Sequence, residues 1–248
     1  AIARGLAKGR MISASHISVS DINESNLSAI RAAFPAINTY TANAQMVEDA
    51  HIIILAVKPW LVEPVAEEIE KLIDYKRQII VSVAAGVDFG KLVDYFDSKA
   101  TLFRVIPNTA IDVLQSVSTV SSHNANEEQT NLILDLFSEL GKTFHVPESQ
   151  LNAFMSLSSC GIAYAFRYIR AAMEGGVEMG IYPNVAKDVV LQTLRGAIDL
   201  IEANGSHPEV EIDKVTTPGG ITIKGLNEME ANGFSNAVIK GLKASHLK

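Results

Sequence analysis

Cysteine is nearly absent from this sequence. Cys160 is the single cysteine among 248 residues, so no intrachain disulfide can form. Such a chain fits a reducing compartment, and we predict a cytoplasmic protein in which Cys160 is a small buried side chain rather than a nucleophile. The six histidines are scattered without the spacing of metal ligands, so no metal site is predicted.

Long apolar runs and an excess of positive charge are lacking as well. The run from Ile52 to Val57 has the length of a strand and is too short to span a membrane. The 28 acidic side chains outnumber the 21 lysines and arginines, which gives a net charge of −7. Because neutralising phosphates needs a basic face, we predict no nucleic-acid partner and no membrane partner.

Strand-like and helical patterns alternate over residues 1–146. The apolar runs at 52–57 and 79–83 have the continuous hydrophobicity of strands buried on both faces of a parallel sheet. Further strands are expected at 17–20, 102–106, 117–120 and 143–146, with helices between them. The alternation predicts an α/β domain with a doubly wound, mostly parallel sheet.

Ligands of such sheets bind beyond the carboxyl ends of the strands. Polar or small residues follow four of the predicted strands, at Asp21, Lys58–Pro59, Ala84–Gly86 and Pro107–Asn108. A dinucleotide-binding domain begins with a strand and a Gly-rich turn ahead of its first helix, whereas these residues open in a helical pattern. We therefore expect a first strand and its glycine loop to lie upstream of the 248 residues.

From Pro147 onward the apolar spacing is helical, which predicts an all-helical second domain at 147–248. Small residues from Ser156 to Gly161 favour the close approach of another helix. The domain also has more apolar surface than one small bundle needs, so we predict at least a homodimer made by this domain.

The stretch from Thr216 to Lys224 joins a Pro-Gly-Gly turn to the start of a helix. Without side chains, Gly219 and Gly220 allow backbone N–H groups to approach a bound group closely. The helix start adds free N–H groups and the positive end of a dipole, which together suit a small carboxylate or phosphate. An ordinary capped helix after a tight turn is the alternative.

Five motifs, in order and spacing, resemble the pyrroline-5-carboxylate reductases across the whole chain apart from the absent first strand. The motifs are Ala56-Val57-Lys58-Pro59, Val83-Ala84-Ala85-Gly86, Arg104-Val105-Ile106-Pro107-Asn108-Thr109, Ala163-Tyr164-Ala165-Phe166 and Thr217-Pro218-Gly219-Gly220-Ile221-Thr222. Ala110, Ile162 and Ile221 depart from the residues that the family often has at these positions.

The resemblance implies a Rossmann-like domain and a helical dimerisation domain, and larger rings of dimers in the family. It implies reduction of Δ1-pyrroline-5-carboxylate to L-proline, the last step of proline biosynthesis, with NADPH or NADH as cofactor. The substrate would be held by Thr217, Gly219, Gly220, Ile221 and Thr222. Thr222 would be the catalytic residue, through a hydrogen bond to the ring nitrogen and delivery of its proton.

The resemblance also implies where the cofactor binds. Asn43 would touch the adenine ribose, and the remaining lining residues would be Ala56, Val57, Lys58, Pro59, Ala84, Ala85, Gly86 and Asn108. From its place after a strand, Asp21 can accept a hydrogen bond from a ribose 2′-hydroxyl and repel a 2′-phosphate, which predicts that NADH is used at least as well as NADPH. A cap for the next helix is the alternative role of Asp21.

Two other kinds of function stay open at this point. One is another imine or carbonyl reductase, related to the hydroxyacid dehydrogenases, which use a catalytic lysine on the first helix of a similar helical domain. That predicted helix, 148–173, carries Arg167 and Arg170 but no lysine. A cofactor-sensing binding protein that keeps the fold without turnover is the non-enzyme alternative.

Overall fold

The computed structural model describes residues 1–246, which divide into two compact units. The first unit is Ala1–Ser159, and the second begins at Cys160. The domain boundary predicted after residue 146 rests on the change in apolar spacing and stays a prediction. The final residues of the predicted second domain, 247 and 248, lie outside the described residues.

Strands alternate with helices in the first unit. The strands are β1 (Ser18–Ser20), β2 (Asn38–Tyr40), β3 (Ile52–Leu55), β4 (Ile79–Ser82), β5 (Thr101–Ile106), β6 (Ser116–His123) and β7 (Gly141–His145). The helices are α1 (Ile2–Lys8), α2 (Glu24–Ala33), α3 (Ala44–Val47), α4 (Val62–Ile69), α5 (Phe89–Tyr95), α6 (Glu127–Ser138) and α7 (Leu151–Met155). This alternation confirms the predicted α/β class.

The strands form two separate sheets. One contains β1 and β2 in parallel, and the other has the order β3-β4-β5-β6-β7. All neighbours in the larger sheet are parallel except β5 and β6, so the sheet is mostly parallel, as predicted. Strand β2 was not predicted, because its three residues Asn-Thr-Tyr form no apolar run.

The larger sheet is buried on both faces. On one face Ile53 and Ile80 pack with residues of α4 and α5, including Val62 and Leu92. On the other face Val81 and Phe103 pack with Leu6 and with Ile133 and Phe137 of α6. Successive side chains of a strand point to opposite faces, so a continuous apolar run serves both layers.

Two predicted helices are interrupted. In the helical segment predicted between the strands at 52–57 and 79–83, a 3₁₀ turn at Pro59–Leu61 precedes α4 and another at Glu70–Leu72 follows it. Pro64 lacks an N–H group and is tolerated in the first turn of a helix, which agrees with the start of α4 at Val62.

The second interruption is a π-helix at Ser156–Cys160, between α7 and the next helix. Ser156 and Ser158 donate to carbonyls four residues earlier, and Ser159 Oγ donates to the Pro107 carbonyl at 3.1 Å. Serine side chains that bond to the backbone compete with the regular helical ladder. Cys160 is half-buried rather than buried as predicted.

The second unit is helical throughout its described part. It contains α8 (Gly161–Glu178), α9 (Pro183–Asn204), α10 (Pro208–Val215), α11 (Ile221–Ala231) and α12 (Phe234–Ala244). Helices α8 and α9 approach closely at Gly176 and Ala186, where an added Cβ on the glycine would lie 3.2 Å from the alanine Cβ. No helix within residues 1–246 has both the length and the hydrophobicity to cross a membrane.

A small polar cluster joins the end of α9 to α10. Glu211 Oε1 accepts hydrogen bonds from Lys214 Nζ at 2.7 Å, from Ser206 Oγ and from Asn204 Nδ2 at 3.2 Å. The Lys214 ammonium first, and the Ser206 hydroxyl next, lower the pKa of Glu211 to about 2. These bonds favour the ionised carboxylate.

We expect the Glu211 carboxyl group to titrate near pH 2 in an NMR experiment, and near its ordinary value in the unfolded chain. The folded pKa is depressed, so its contribution to stability is present above the unfolded pKa and is lost as the pH falls toward about 2. Lys214→Met should raise the midpoint, whereas an unchanged midpoint in this variant would contradict the assigned cause.

Candidate functional site

The parallel strands β3, β4 and β5 end at one edge of the sheet. Their register aligns Leu55 with Ser82 and Ser82 with Arg104. The segments that follow these strands therefore lie along the same edge. They include eight of the predicted cofactor-binding residues, namely Ala56, Val57, Lys58, Pro59, Ala84, Ala85, Gly86 and Asn108.

Small residues keep this edge open. Gly86 has φ +82°, in the left-handed region, and an added Cβ there would meet no atom within 4 Å. Ala56 and Ala85 are exposed, and Lys58 pairs with no carboxylate among the described residues. The side-chain oxygen of Asn108 already accepts a hydrogen bond from the Ala110 N–H group at 3.0 Å. Gly86 therefore leaves open space beside the loop after β4, and the binding of a nicotinamide dinucleotide across the strand ends stays a prediction.

Asp21 lies at the end of β1 and makes two local contacts. Its Oδ1 accepts from the Asn23 N–H group and its Oδ2 accepts from Asn26 Nδ2, both at 2.8 Å. The N-cap of α2 is Asn23, whose side chain accepts from the Ser25 N–H group. The carboxylate of Asp21 therefore shapes the turn before the helix but does not cap it, and its predicted role toward a ribose stays a prediction.

Asn43 lies immediately before α3 and donates from Nδ2 to Glu68 Oε2 of α4 at 2.7 Å. A cavity of about 740 Å³ in the first unit has Asn43, Ala56 and Val57 in its wall. The structure thus brings Asn43 together with the loop after β3. Its predicted contact with the adenine ribose has no further support here.

The predicted binding site for a small carboxylate or phosphate lies in the second unit, at the start of α11. We call residues Thr217–Thr222 the anion seat. Gly219 has φ +75°, and the Gly220 N–H group donates to the Thr217 carbonyl at 2.9 Å, which closes the turn. An added Cβ on Gly220 would lie 2.6 Å from Thr217 Oγ1, so a larger residue would displace the threonine. The turn therefore requires glycine at both positions.

No side chain caps this helix. Gly220 is the N-cap residue, and the first-turn N–H groups of Ile221 and Thr222 have no intrahelical partner. The Thr222 side chain is exposed, and its hydroxyl has no hydrogen-bond partner within residues 1–246. The Ile221 side chain is 86 % exposed, so this residue can contribute to the seat only through its backbone N–H group. The arrangement leaves free donors and a positive helix end available to an anion.

A buried ion pair near the sheet edge was not anticipated from the sequence. Arg104 of β5 donates from Nη1 to Glu148 Oε1 at 2.6 Å, and the same oxygen accepts from the Phe89 N–H group at 2.7 Å. Phe89 begins α5, three residues after Gly86, so Glu148 ties this loop to β5. The available signal was an arginine inside the apolar run Leu102–Ile106, since a charge there needs a partner.

Together these features define a class of protein, in which a sheet domain of the dinucleotide-binding type precedes a helical domain. Residues 148–248 match the family model described as pyrroline-5-carboxylate reductase dimerisation. Residues 1–86 match the one described as NADP oxidoreductase, coenzyme F420-dependent.

Individual relatives match nearly the entire chain. Pyrroline-5-carboxylate reductase of Pisum sativum is 34 % identical over 251 residues, which cover 98 % of this chain and 90 % of that protein. Pyrroline-5-carboxylate reductase 1 of Dictyostelium discoideum is 33 % identical over 99 % of this chain, which spans about half of that protein, 46 %. The crystal structure of Plasmodium falciparum pyrroline carboxylate reductase with NADP bound has a TM-score of 0.89 at 25 % identity, covering 98 % of this chain and 90 % of that one.

The chain belongs to the pyrroline-5-carboxylate reductase family. The resemblance carried by the five motifs is thereby confirmed, as is the predicted order of a Rossmann-like domain and a helical domain. The hydroxyacid-dehydrogenase alternative loses its support, since these matches extend over almost the full length.

Proposed function

We propose that this protein reduces Δ1-pyrroline-5-carboxylate to L-proline with NADPH or NADH, in the cytoplasm. The observation that carries the proposal is the uncapped start of α11 behind the turn Gly219–Gly220, in a chain that belongs to this family. The substrate has one carboxylate and one ring nitrogen. The seat offers backbone donors for the former and the Thr222 hydroxyl for the latter.

The seat acts by binding and orientation. The N–H groups of Ile221 and Thr222 and the Thr217 hydroxyl donate to the carboxylate, and the helix dipole favours its negative charge. This holds the ring in one position, which lowers the entropic part of the barrier. Strong acids are not needed, because a protonated imine is already electrophilic.

Reduction adds a hydride to the imine carbon and a proton to the imine nitrogen, so that C=N becomes CH–NH. The nicotinamide cofactor supplies that hydride when it is bound and is oxidised in doing so. The Thr222 hydroxyl hydrogen-bonds to the nitrogen and relays its proton. In the first unit, the loops Ala56–Pro59 and Ala84–Gly86 line the cofactor, with Asn43 and Asn108 beside them.

The decisive experiment follows the absorbance of reduced nicotinamide after addition of Δ1-pyrroline-5-carboxylate. We expect consumption that saturates with the imine and yields one proline per cofactor oxidised. An open-chain carbonyl compound of similar size is the control, and a preference for it would favour a carbonyl reductase. Saturable cofactor binding without any turnover would favour the binding-protein alternative.

For the cofactor, we expect NADH to be used at least as well as NADPH, because the Asp21 carboxylate would repel a 2′-phosphate. Asp21→Asn keeps an acceptor for the Asn23 N–H group while removing the charge, so it should shift the ratio of kcat/KM values toward NADPH. Asp94→Asn, on the exposed side of α5, is the matched control and should not change the ratio. Steady-state kinetics with a strong NADPH preference in both parent and Asp21→Asn would defeat the assignment.

For assembly, we propose at least a homodimer made by the helical domain. Phe166, Val189 and Ile198 are apolar yet 59 %, 54 % and 56 % exposed in the single chain, which favours a partner surface. Two residues of the small-residue stretch that was predicted to favour a second helix make contacts within the first unit instead. Ser156 is buried there, and Ser159 donates to the Pro107 carbonyl. Light scattering at micromolar concentration should give at least twice the chain mass, and Ile198→Glu should reduce it. A monomeric mass for the parent protein would refute the proposal.

A further inference from the structure

The peptide group between Pro107 and Asn108 is held from both sides by serine hydroxyls. Ser159 Oγ donates to the Pro107 carbonyl at 3.1 Å, and the Asn108 N–H group donates to Ser116 Oγ at 3.1 Å. These residues all belong to the first unit. Because the C=O and the N–H of this peptide group are both bonded, its plane cannot turn without breaking one of the two bonds. We call the peptide group and its two bonds the serine clamp.

The side chain of Asn108 is oriented as well. Its Oδ1 accepts from the Ala110 N–H group, and because an N–H group can only donate, the amide has to present its oxygen to Ala110. The Nδ2 atom then lies on the other side of the amide, and no acceptor for it is found within residues 1–246. Asn108 is half-buried, so this donor is partly removed from water. Such an oriented, unpaired donor is available to an acceptor on a bound molecule.

Asn108 is also well placed for such a molecule. It follows β5, which ends at Ile106, and ligands of these sheets bind beyond the carboxyl ends of the strands. A nicotinamide dinucleotide carries oxygen acceptors on its phosphates, its riboses and its carboxamide group. The chemistry of the Asn108 donor therefore fits the proposed cofactor.

Ser159 differs from two other serines of the π-helix Ser156–Cys160. Ser156 and Ser158 donate to carbonyls four residues earlier, as serines in helices commonly do. The Ser159 hydroxyl instead donates to a loop carbonyl that lies 52 residues away along the chain. A π-helix widens one turn and so changes the direction of the side chains that follow, and π-helices are frequent at functional sites.

We propose that Ser159 is a positioning residue of the cofactor site, an inference that rests on the proposed use of a nicotinamide dinucleotide. Its hydroxyl fixes the peptide group Pro107–Asn108 against Ser116. The serine clamp thereby directs the Asn108 Nδ2 donor at an oxygen of the bound dinucleotide, while Ser159 itself makes no contact with the cofactor. Without the Ser159 hydroxyl the peptide group can turn, and the need to order the Asn108 amide weakens binding.

The first measurement is hydrogen exchange at the Asn108 backbone amide without cofactor. Ser159→Ala removes one side of the serine clamp, so this amide should exchange at least about threefold faster. Ser158→Ala is the matched control, because the neighbouring hydroxyl is also half-buried but donates to the Phe154 carbonyl within the helix. It should leave exchange at Asn108 unchanged. Melting temperatures show whether both variants fold.

The second measurement is the dissociation constant of NAD⁺ or NADP⁺, whichever the parent protein binds more tightly, by titration calorimetry on the full-length protein. We expect Ser159→Ala to weaken binding by about fivefold to tenfold, the effect of losing one ordinary hydrogen bond. Ser158→Ala should bind like the parent protein. Ser159→Thr keeps a hydroxyl donor and should also retain the parent affinity.

A double-mutant cycle tests whether Ser159 acts through Asn108. Asn108→Ser keeps a side-chain oxygen that can accept from the Ala110 N–H group but lacks the amide donor. In that background, Ser159→Ala should change the dissociation constant by less than about twofold. If Ser159 only stabilised the fold, its removal would weaken binding equally in both backgrounds.

Three results would overturn the proposal. They are unchanged exchange at Asn108 in Ser159→Ala, parent-like affinity of this variant for the dinucleotide, and an equal loss of affinity with and without the Asn108 amide. Dinucleotide binding without reduction of the imine would defeat the proposed function alone, because the comparison of Ser159 with Ser158 needs no turnover. A parent protein that binds neither dinucleotide would overturn both.

Discussion

Thr222→Val is expected to lower kcat/KM by about tenfold to a thousandfold and to leave stability nearly unchanged. Valine keeps the shape and the β-branch of threonine but removes the hydroxyl that is proposed to donate to the ring nitrogen. Loss of one hydrogen bond to a group whose charge changes in the transition state costs about 1.5–4 kcal/mol. The loss should fall mainly on kcat, because that bond gains strength as the reaction proceeds.

The structure explains why Thr222→Val should leave stability nearly unchanged. Gly220, and not Thr222, is the N-cap residue of α11, and the Thr222 hydroxyl has no hydrogen-bond partner among residues 1–246. Removing it from the exposed helix start should therefore change the free energy of unfolding by no more than about 0.5 kcal/mol. Thr222→Ser keeps the donor and should retain most of the activity.

Thr193→Val is the matched control, since the Thr193 hydroxyl donates to the Val189 carbonyl within α9, outside the seat. It should leave kcat/KM unchanged and have only a small effect on stability. The informative measurement is kinetics and thermal unfolding on all three variants. Normal turnover in Thr222→Val, or an equal loss in Thr193→Val, would end the catalytic assignment of Thr222.

The fold was largely predictable because its strands are buried on both faces. The run Ile52–Val57 is apolar at successive positions and Ile79–Val83 is so except at Ser82, and such runs identify central parallel strands. In contrast, β2 consists of Asn38, Thr39 and Tyr40, and its pairing with β1 depends on backbone hydrogen bonds that no side-chain pattern reveals. The π-helix at Ser156–Cys160 was missed for a related reason, since its serines act on backbone carbonyls.

For the candidate site, the sequence indicated which loops follow the strands but not the long-range contacts that position them. The glycines at 219 and 220 pointed correctly to a turn, because Gly219 adopts a positive φ and an added Cβ at Gly220 would collide with Thr217. Glu148 is 44 residues from Arg104 along the chain, and its place beside Phe89 follows from the packing of the segment after β7. A contact between side chains that lie far apart along the chain leaves no pattern in the sequence around either residue.

That ion pair leads to the second large expected effect, which is on stability. Glu148→Gln should lower the free energy of unfolding by about 2–4 kcal/mol, because it leaves the charge of Arg104 buried without a counter-charge. Breaking a fully buried pair costs about 3–5 kcal/mol, and we discount this range because the Glu148 side chain is 35 % exposed while that of Arg104 is 7 % exposed. Glutamine can still accept from the Phe89 N–H group, so the start of α5 should stay in place.

A double-mutant cycle separates the buried charge from the loss of a hydrogen bond. Arg104→Met combined with Glu148→Gln buries no charge, so the double variant should be more stable than Glu148→Gln alone. Glu174→Gln is the control: its exposed pair with Arg170 has 62 % and 61 % exposed side chains, and its loss should cost no more than about 1 kcal/mol. Urea unfolding measures all five proteins: the parent, Glu148→Gln, Arg104→Met, the double variant and Glu174→Gln. If Glu148→Gln costs no more than Glu174→Gln, or if the cycle is additive, Glu148 does not neutralise Arg104 and the loop after β4 must be positioned by other contacts.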